Sequence, residues 1–248
     1  MRMEQLKKME ERFEAMVAAC DVPPQSESLK DLKHRHSYRV RDVAKEIALS
    51  LGWPEGDVVT ATALGLLHDV ARFQQIREFG HLRDHDSFDH GLRGAEILEE
   101  ERWLEECDAH DREIILAGVR WHTAHVISPD MCPDHLPFVQ LIRDADKLDI
   151  LDGVADELVA AETRNGPLPP PAPALVETVL AGGLVDYVDV KTLSDMLMAW
   201  LAWVYDMNFP SARAILRQKG FMEKLIGFLP DSPEMRQLAL NIDARPRE

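Results

Sequence analysis

A histidine and an aspartate stand side by side at His68 and Asp69, directly after the apolar run Ala63-Leu64-Gly65-Leu66-Leu67. Imidazole and carboxylate are donors for divalent transition metals. Adjacent residues on a helix point about 100° apart, so both reach one ion only where the backbone leaves the regular turn. A carboxylate at such a buried boundary is costly unless it is paired or coordinated. A second acidic cluster, IRDADKLDIL, follows at residues 142–151. Asp146 shares a helix face with Ile142 and Asp149, so its carboxylate points inward and calls for a cation. Asp144 sits about 200° from Asp146 around that helix; it is the alternative ligand and otherwise reads as a solvent-facing charge.

Together with His36, these residues resemble the H…HD…D signature of the HD metal-dependent phosphohydrolase superfamily. The flanking segments HSYRVRDVAKEIA (residues 36–48) and LLHDVARF (residues 66–73) carry the likeness, which covers roughly residues 30–155. Val70-Ala71 departs from the Ile-Gly found in many members. The resemblance implies that His36, His68, Asp69 and Asp146 hold a metal. His90, in DHGLRGAEIL, looks like the third motif of the subgroups that bind two metals, and His122, in VRWHTAHVISP, looks like the fourth. In such subgroups the aspartate of the HD pair bridges both ions. His125, three residues after His122, is a further candidate for lining the pocket.

Nitrogen and oxygen donors without thiolates suit one or two ions of Mn, Fe, Co, Ni, Zn or Mg. Such an ion lowers the pKa of bound water and offsets the charge on phosphoryl oxygens. The phosphate then needs further cations. Lys147 resembles a phosphate-contacting position of some deoxynucleotide-cleaving relatives, and Arg72 lies one helical turn after His68; Arg143 and Arg93 are weaker candidates, and Asp149 a supporting residue. With Asp69, Lys147 and Arg72 form the expected catalytic set. The resemblance implies hydrolysis of a small phosphate ester, a nucleotide or related metabolite first among them. The longer ligand series also resembles the mixed-valent diiron oxygenases of the superfamily, and a nucleotide-binding sensor without catalysis is the third reading. The Gly-Tyr-Pro element of the cyclic-dinucleotide phosphodiesterases is missing from HTAHVISP, and the chain has no room for the synthetase domain of the alarmone enzymes.

Helices must position these residues, because apolar residues recur at helical spacing nearly throughout. Val40, Val43, Ile47 and Leu51 mark one helix, ended by Gly52-Trp53-Pro54. Others begin near Glu55 and His90, and two more carry Ile114 to Trp121 and Val139 to Leu148. Strand alternation and Asn-Gly or Asp-Gly turns are scarce, so the fold is expected to be all-α. The polar segment 79–89 (FGHLRDHDSFD) reads as a loop over or beside a site, with His81 and His85 as its candidates. A proline-rich break, GPLPPPAP at 166–173, separates an expected HD core with an N-terminal helix (1–165) from a C-terminal helical extension packed on it (166–248). In the extension, Leu193, Met196, Leu197, Trp200 and Val204 form an apolar stripe that reads as core.

Composition excludes several classes. Of 248 residues, 46% are hydrophobic and 29% charged, which is the balance of a core-forming chain. A formal net charge of −16 repels phosphate backbones, so no nucleic-acid polymer is expected as partner. No uncharged apolar run approaches the roughly 18 residues of a membrane span, and the first twenty residues lack the apolar core of a secretory leader. Three scattered cysteines, Cys20, Cys107 and Cys132, suggest reduced thiols and a cytoplasmic protein. The Trp200/Trp203 helix could serve as the interface of a homodimer.

Overall fold

Helix after helix, without a strand among the described residues, makes up the computed structural model, which describes residues 1–154, 160 and 168–243. The all-α expectation holds. The chain divides into two compact units, Met1–Asp146 and Lys147–Glu248. The start of the expected proline-rich break, residues 166–167, lies outside the described residues, and 168–172 run without helix. Among the described residues no helix is long and apolar enough to cross a membrane.

The first unit is built on α1 (Met3–Ala19), α2 (Glu27–Ser50), α3 (Glu55–Leu67), α4 (Val70–Phe79), α5 (His90–Glu100), α6 (Ala109–Trp121) and most of α7 (Leu136–Asp149). Local chemistry sets the ends of these helices. Gly52 adopts the left-handed φ of 67° that stops the chain after α2. Gly80, at φ 71°, caps α4 in the same way. The Asp89 carboxylate accepts from the Leu92 amide and starts α5, and Asp108 does the same for Asp111 and α6.

Packing then decides which helices meet. The pairs in contact include α2 with α3, α3 with α6, α4 with α5, and α5 with α6. Val40, Ala44 and Ile47 of α2 bury fully against this assembly, as do Leu64, Leu66 and Leu67 of α3. Burying a side chain of this size contributes about 1.5–3 kcal/mol. Two glycines allow the close approach. A Cβ on Gly65 would lie 2.8 Å from the Arg41 Cα, so α2 and α3 touch backbone to backbone there. A Cβ on Gly91 would lie 3.0 Å from the Val119 and Arg120 carbonyl oxygens, which brings the start of α5 onto the end of α6. Each close approach lies next to a histidine of the expected series, Gly65 three residues before His68 and Gly91 one after His90.

The second unit carries helices Pro173–Leu180, Leu193–Ala202, Pro210–Gln218, Phe221–Phe228 and Pro233–Asp243. Three of them open with proline, whose fixed φ suits the first helical turn. Within this unit Leu197, Trp200 and Val204 are buried, together with Met198 and Leu201, which the expected stripe did not include. The Trp200 and Trp203 rings lie 6.2 Å apart. Cys20 and Cys107 are buried and Cys132 exposed, all as free thiols.

Candidate metal centre

Five pieces of chain converge in the first unit. His36 comes from the middle of α2, where only 1% of the residue is exposed. His68 and Asp69 occupy the turn between α3 and α4, and Asp69 leaves helical geometry at φ −105°, ψ 19°. That departure lets two adjacent side chains face one place. His90 is the first residue of α5, His122 follows the last residue of α6, and Asp146 lies near the end of α7.

The donor atoms form two half-sites around Asp69. On one side, Asp69 Oδ2 lies 3.4 Å from His36 Nε2 and 3.5 Å from His68 Nε2. Asp146 Oδ1 closes this group at 3.1 Å from His36 Nε2 and 3.6 Å from His68 Nε2. On the other side, Asp69 Oδ1 lies 3.3 Å from His90 Nε2 and 3.7 Å from His122 Nε2. Each carboxylate oxygen of Asp69 therefore serves a different pair of imidazoles. Among the described residues, His36, His68 and Asp146 offer ligand atoms within 4.8 Å of one another, and so do His68, Asp69 and His122.

The imidazoles are oriented as metal ligands are. His68 Nδ1 is 2.8 Å from the Gly65 carbonyl oxygen, and His122 Nδ1 is 2.7 Å from that of Val119. His90 Nδ1 is 2.5 Å from Asp84 Oδ2. An acceptor at Nδ1 places the ring proton there and leaves the Nε2 lone pair facing inward. The Nε2 atoms of His90 and His122 then confront each other at 3.1 Å with no proton between them, an arrangement that a cation relieves. The Nε2 atoms of His36 and His68 lie 3.2 Å apart. The residues present thus fit divalent ions held by nitrogen and oxygen donors.

Charge at the centre follows from burial and close partners. Burial alone would raise the pKa of Asp69, but the Lys33 ammonium at 2.6 Å and the surrounding imidazoles hold it well below the usual carboxylate range. For Asp146, too, burial is outweighed by hydrogen bonding to His36 and His68, and its pKa is far down. Desolvation lowers the pKa of His68, and it brings that of His90 down to about 4 against the pull of Asp84. A buried histidine that stays neutral when folded takes up its proton more readily once unfolded. Metal-free protein should therefore lose stability as the pH falls from about 6.5, the ordinary histidine value, toward 4. The loss from His90 alone should reach roughly 3 kcal/mol. Urea unfolding of chelator-treated protein between pH 7.5 and 4.5 measures it, and a flat profile above pH 5 would contradict this account.

Other expected residues are placed differently. Asp144, the alternative ligand and otherwise a solvent-facing charge by the sequence reading, has no exposed surface, whereas the Asp146 side chain keeps 22% exposure. Helix α7 is buried on nearly all sides from Val139 to Asp149, so it has no solvent face for Asp144 to occupy. His125 is exposed, because α6 ends at Trp121 and helical spacing no longer applies beyond it. Arg143 turns its guanidinium to the carbonyl oxygens of His122 and Ala124, and so braces the turn that carries His122. Arg93 is engaged by Gln74, Glu96 and Glu100 on the surface. Lys147 belongs to the second unit, where the Asp206 carboxylate holds its ammonium; Asp149, in the same unit, is buried. In loop 79–89, the exposed His85 pairs with Asp86, and His81 accepts from the Arg83 amide.

Arg72 does come to the centre, its Nε 3.5 Å from Asp69 Oδ1. Two residues that reach the cluster were not anticipated. Lys33 lies three residues before His36 on the same face of α2, and that spacing was the available signal. Asp84, which meets His90, lies in the very loop expected to cover a site, where His81 and His85 were the candidates.

The family described as HD domain matches residues 34–151. No curated protein and no solved structure matches the chain.

Proposed function

We propose that the chain, whose residues 34–151 match the HD-domain family, is a metal-dependent phosphohydrolase that hydrolyses a small phosphate ester, a nucleotide or related metabolite, with two divalent ions. The observation that carries this reading is the Asp69 carboxylate, whose two oxygens address two separate pairs of imidazoles. A ligand shared in this way is what a pair of ions about 3.5–4 Å apart requires. When bound, the ions supply Lewis acidity and bring water close to neutral pKa, which makes a nucleophile available at ordinary pH.

The protein's own groups then bind and orient the phosphate. Arg72 Nε is buried, and among the described residues no hydrogen-bond acceptor meets it. It is aimed at the Asp69 oxygen on the His90/His122 side, where a phosphoryl oxygen would complete its bonding. Lys33, at the other oxygen of Asp69, supplies a second positive charge. Local cations of this kind let a chain of net charge −16 take an anionic substrate. Burial of His36, His68 and Asp69 keeps their electrostatic interactions in a poorly screened interior.

The test uses purified protein loaded in turn with Mn²⁺, Co²⁺, Fe²⁺ and Zn²⁺, against a panel of nucleotides and other phosphate esters. Release of phosphate or pyrophosphate that a chelator abolishes is the expected result. Hydrolysis of nothing in the panel, with no substrate raising the unfolding temperature, would overturn the reading. Oxygen consumption by the iron-loaded protein without phosphate release would favour the oxygenase reading instead.

A further inference from the structure

The imidazoles of the centre are not held alike. His68 and His122 are anchored by carbonyl oxygens three residues earlier in their own chain segments, Gly65 and Val119. Those anchors belong to α3 and α6, so they are as rigid as the helices. His90 is anchored by a carboxylate on loop 79–89, Asp84, whose side chain keeps 34% exposure. Asp84 Oδ2 also lies 3.4 Å from the His90 backbone nitrogen.

The loop is in turn tied down from α4. Asp84 Oδ1 accepts from Arg72 Nη1 at 2.8 Å and from Gln75 Nε2 at 3.1 Å. Arg72 Nη1 also donates to the Leu82 carbonyl oxygen at 2.8 Å, and Gln75 Nε2 to Ser87 Oγ at 2.7 Å. Asp84 thus uses both oxygens, Oδ2 on the His90 ring and Oδ1 on the Arg72 guanidinium and the Gln75 amide. An anionic acceptor makes the imidazole it orients a stronger donor toward a cation than a carbonyl does.

We propose that Asp84 is the positioning residue of the His90/His122 half-site, and that through it the second ion depends on the conformation of loop 79–89, whereas the ion at His36, His68 and Asp146 does not. The inference rests on the two-ion reading and adds a hierarchy to it. One half-site is built from helix-anchored groups. The other is completed by a surface loop whose anchor, Arg72, is also the candidate phosphate contact. Occupancy of the second half-site is thereby tied to the state of the substrate-binding cation.

Titration of the chelator-stripped full chain with Mn²⁺, read by calorimetry and by metal content after desalting, tests the idea. Wild type should take up two ions. Asp84→Ala should keep the first with unchanged affinity and bind the second about 10–100-fold more weakly. Asp84→Asn retains an oxygen that accepts from Nδ1 and should recover most of the second-ion affinity. Ser87→Ala removes the loop's bonds from Gln75 Nε2 to Ser87 and from Ser87 to the Arg83 carbonyl oxygen without touching His90, and should leave both ions in place. Equal affinity of Asp84→Ala and wild type for two ions would overturn the inference and leave the two-ion reading standing. A wild-type protein that takes up one ion overturns both. If Asp84→Ala fails to fold by circular dichroism, Asp84→Leu, which fills similar space but offers Nδ1 no acceptor, takes its place: it should lose the second ion while Ser87→Ala keeps both, and two ions in folded Asp84→Leu, or a second ion lost equally in Ser87→Ala, would refute a specific role for Asp84.

Discussion

Replacing Asp69 by asparagine should remove both ions and reduce phosphate-ester hydrolysis by at least about 10³-fold. The two oxygens of this one carboxylate lie within 3.7 Å of the Nε2 atoms of both pairs of imidazoles, so this single change should empty both half-sites together. Asparagine keeps the shape but presents one oxygen in place of two and carries no charge. Several kilocalories of charge stabilisation disappear with the ions, hence the size of the expected effect. The buried Lys33 ammonium also loses its partner at 2.6 Å, so the variant should be less stable as well as inactive. Metal content and residual rate, measured on protein shown to be folded by circular dichroism, check both parts. A folded Asp69→Asn protein with two ions bound would refute the bridging role. His36→Ala and His122→Ala provide the contrast, since each should affect mainly its own half-site.

Replacement of Arg72 by alanine is the second large effect expected, at about 10–100-fold in kcat/KM at saturating metal. A hydrogen bond to a charged group is worth roughly 1.5–3 kcal/mol, and this guanidinium already lies beside the Asp69 carboxylate. The same variant also releases Asp84, and its second-ion affinity should fall for that reason. Saturating metal separates the two consequences. With both ions restored, the remaining defect reports the phosphate contact alone. Arg72→Lys keeps a charge but lacks the planar fork, and should recover only part of the rate. Full activity of Arg72→Ala at saturating metal would remove Arg72 from the substrate site and leave Lys33 as the principal cation near Asp69.

Much of the architecture was legible from local chemistry. Gly52-Trp53-Pro54 ends a helix wherever it occurs, because a left-handed glycine and the restriction before proline act within a few residues. Asp89 caps α5 through its own helix's amide, a contact three residues long. The donor types were equally legible. Imidazole and carboxylate without thiolate define the class of metal from composition at the motif, wherever the fold later carries it.

What was not legible depended on which neighbour each side chain meets. Asp144 stood as the alternative ligand to Asp146 or else as a solvent-facing charge, because a helix read by itself has one face in and one face out. In the folded chain α7 is buried on nearly all sides, and that is a fact about its surroundings. Lys33 and Asp84 reach the centre only because α2, the α3–α4 turn and loop 79–89 are brought together from 36 and 6 residues away respectively. Arg143 could have faced substrate or braced a backbone turn, and only the path of the chain after α6 turns it to the His122 and Ala124 carbonyl oxygens. The sequence by itself determined an all-α chain with an HD motif and its donor chemistry, because helix signals and ligand types are local. Tertiary structure alone decided that Asp69 faces both pairs of imidazoles and that Lys33 flanks it. Those are distances between segments far apart in the chain, and only packing sets them.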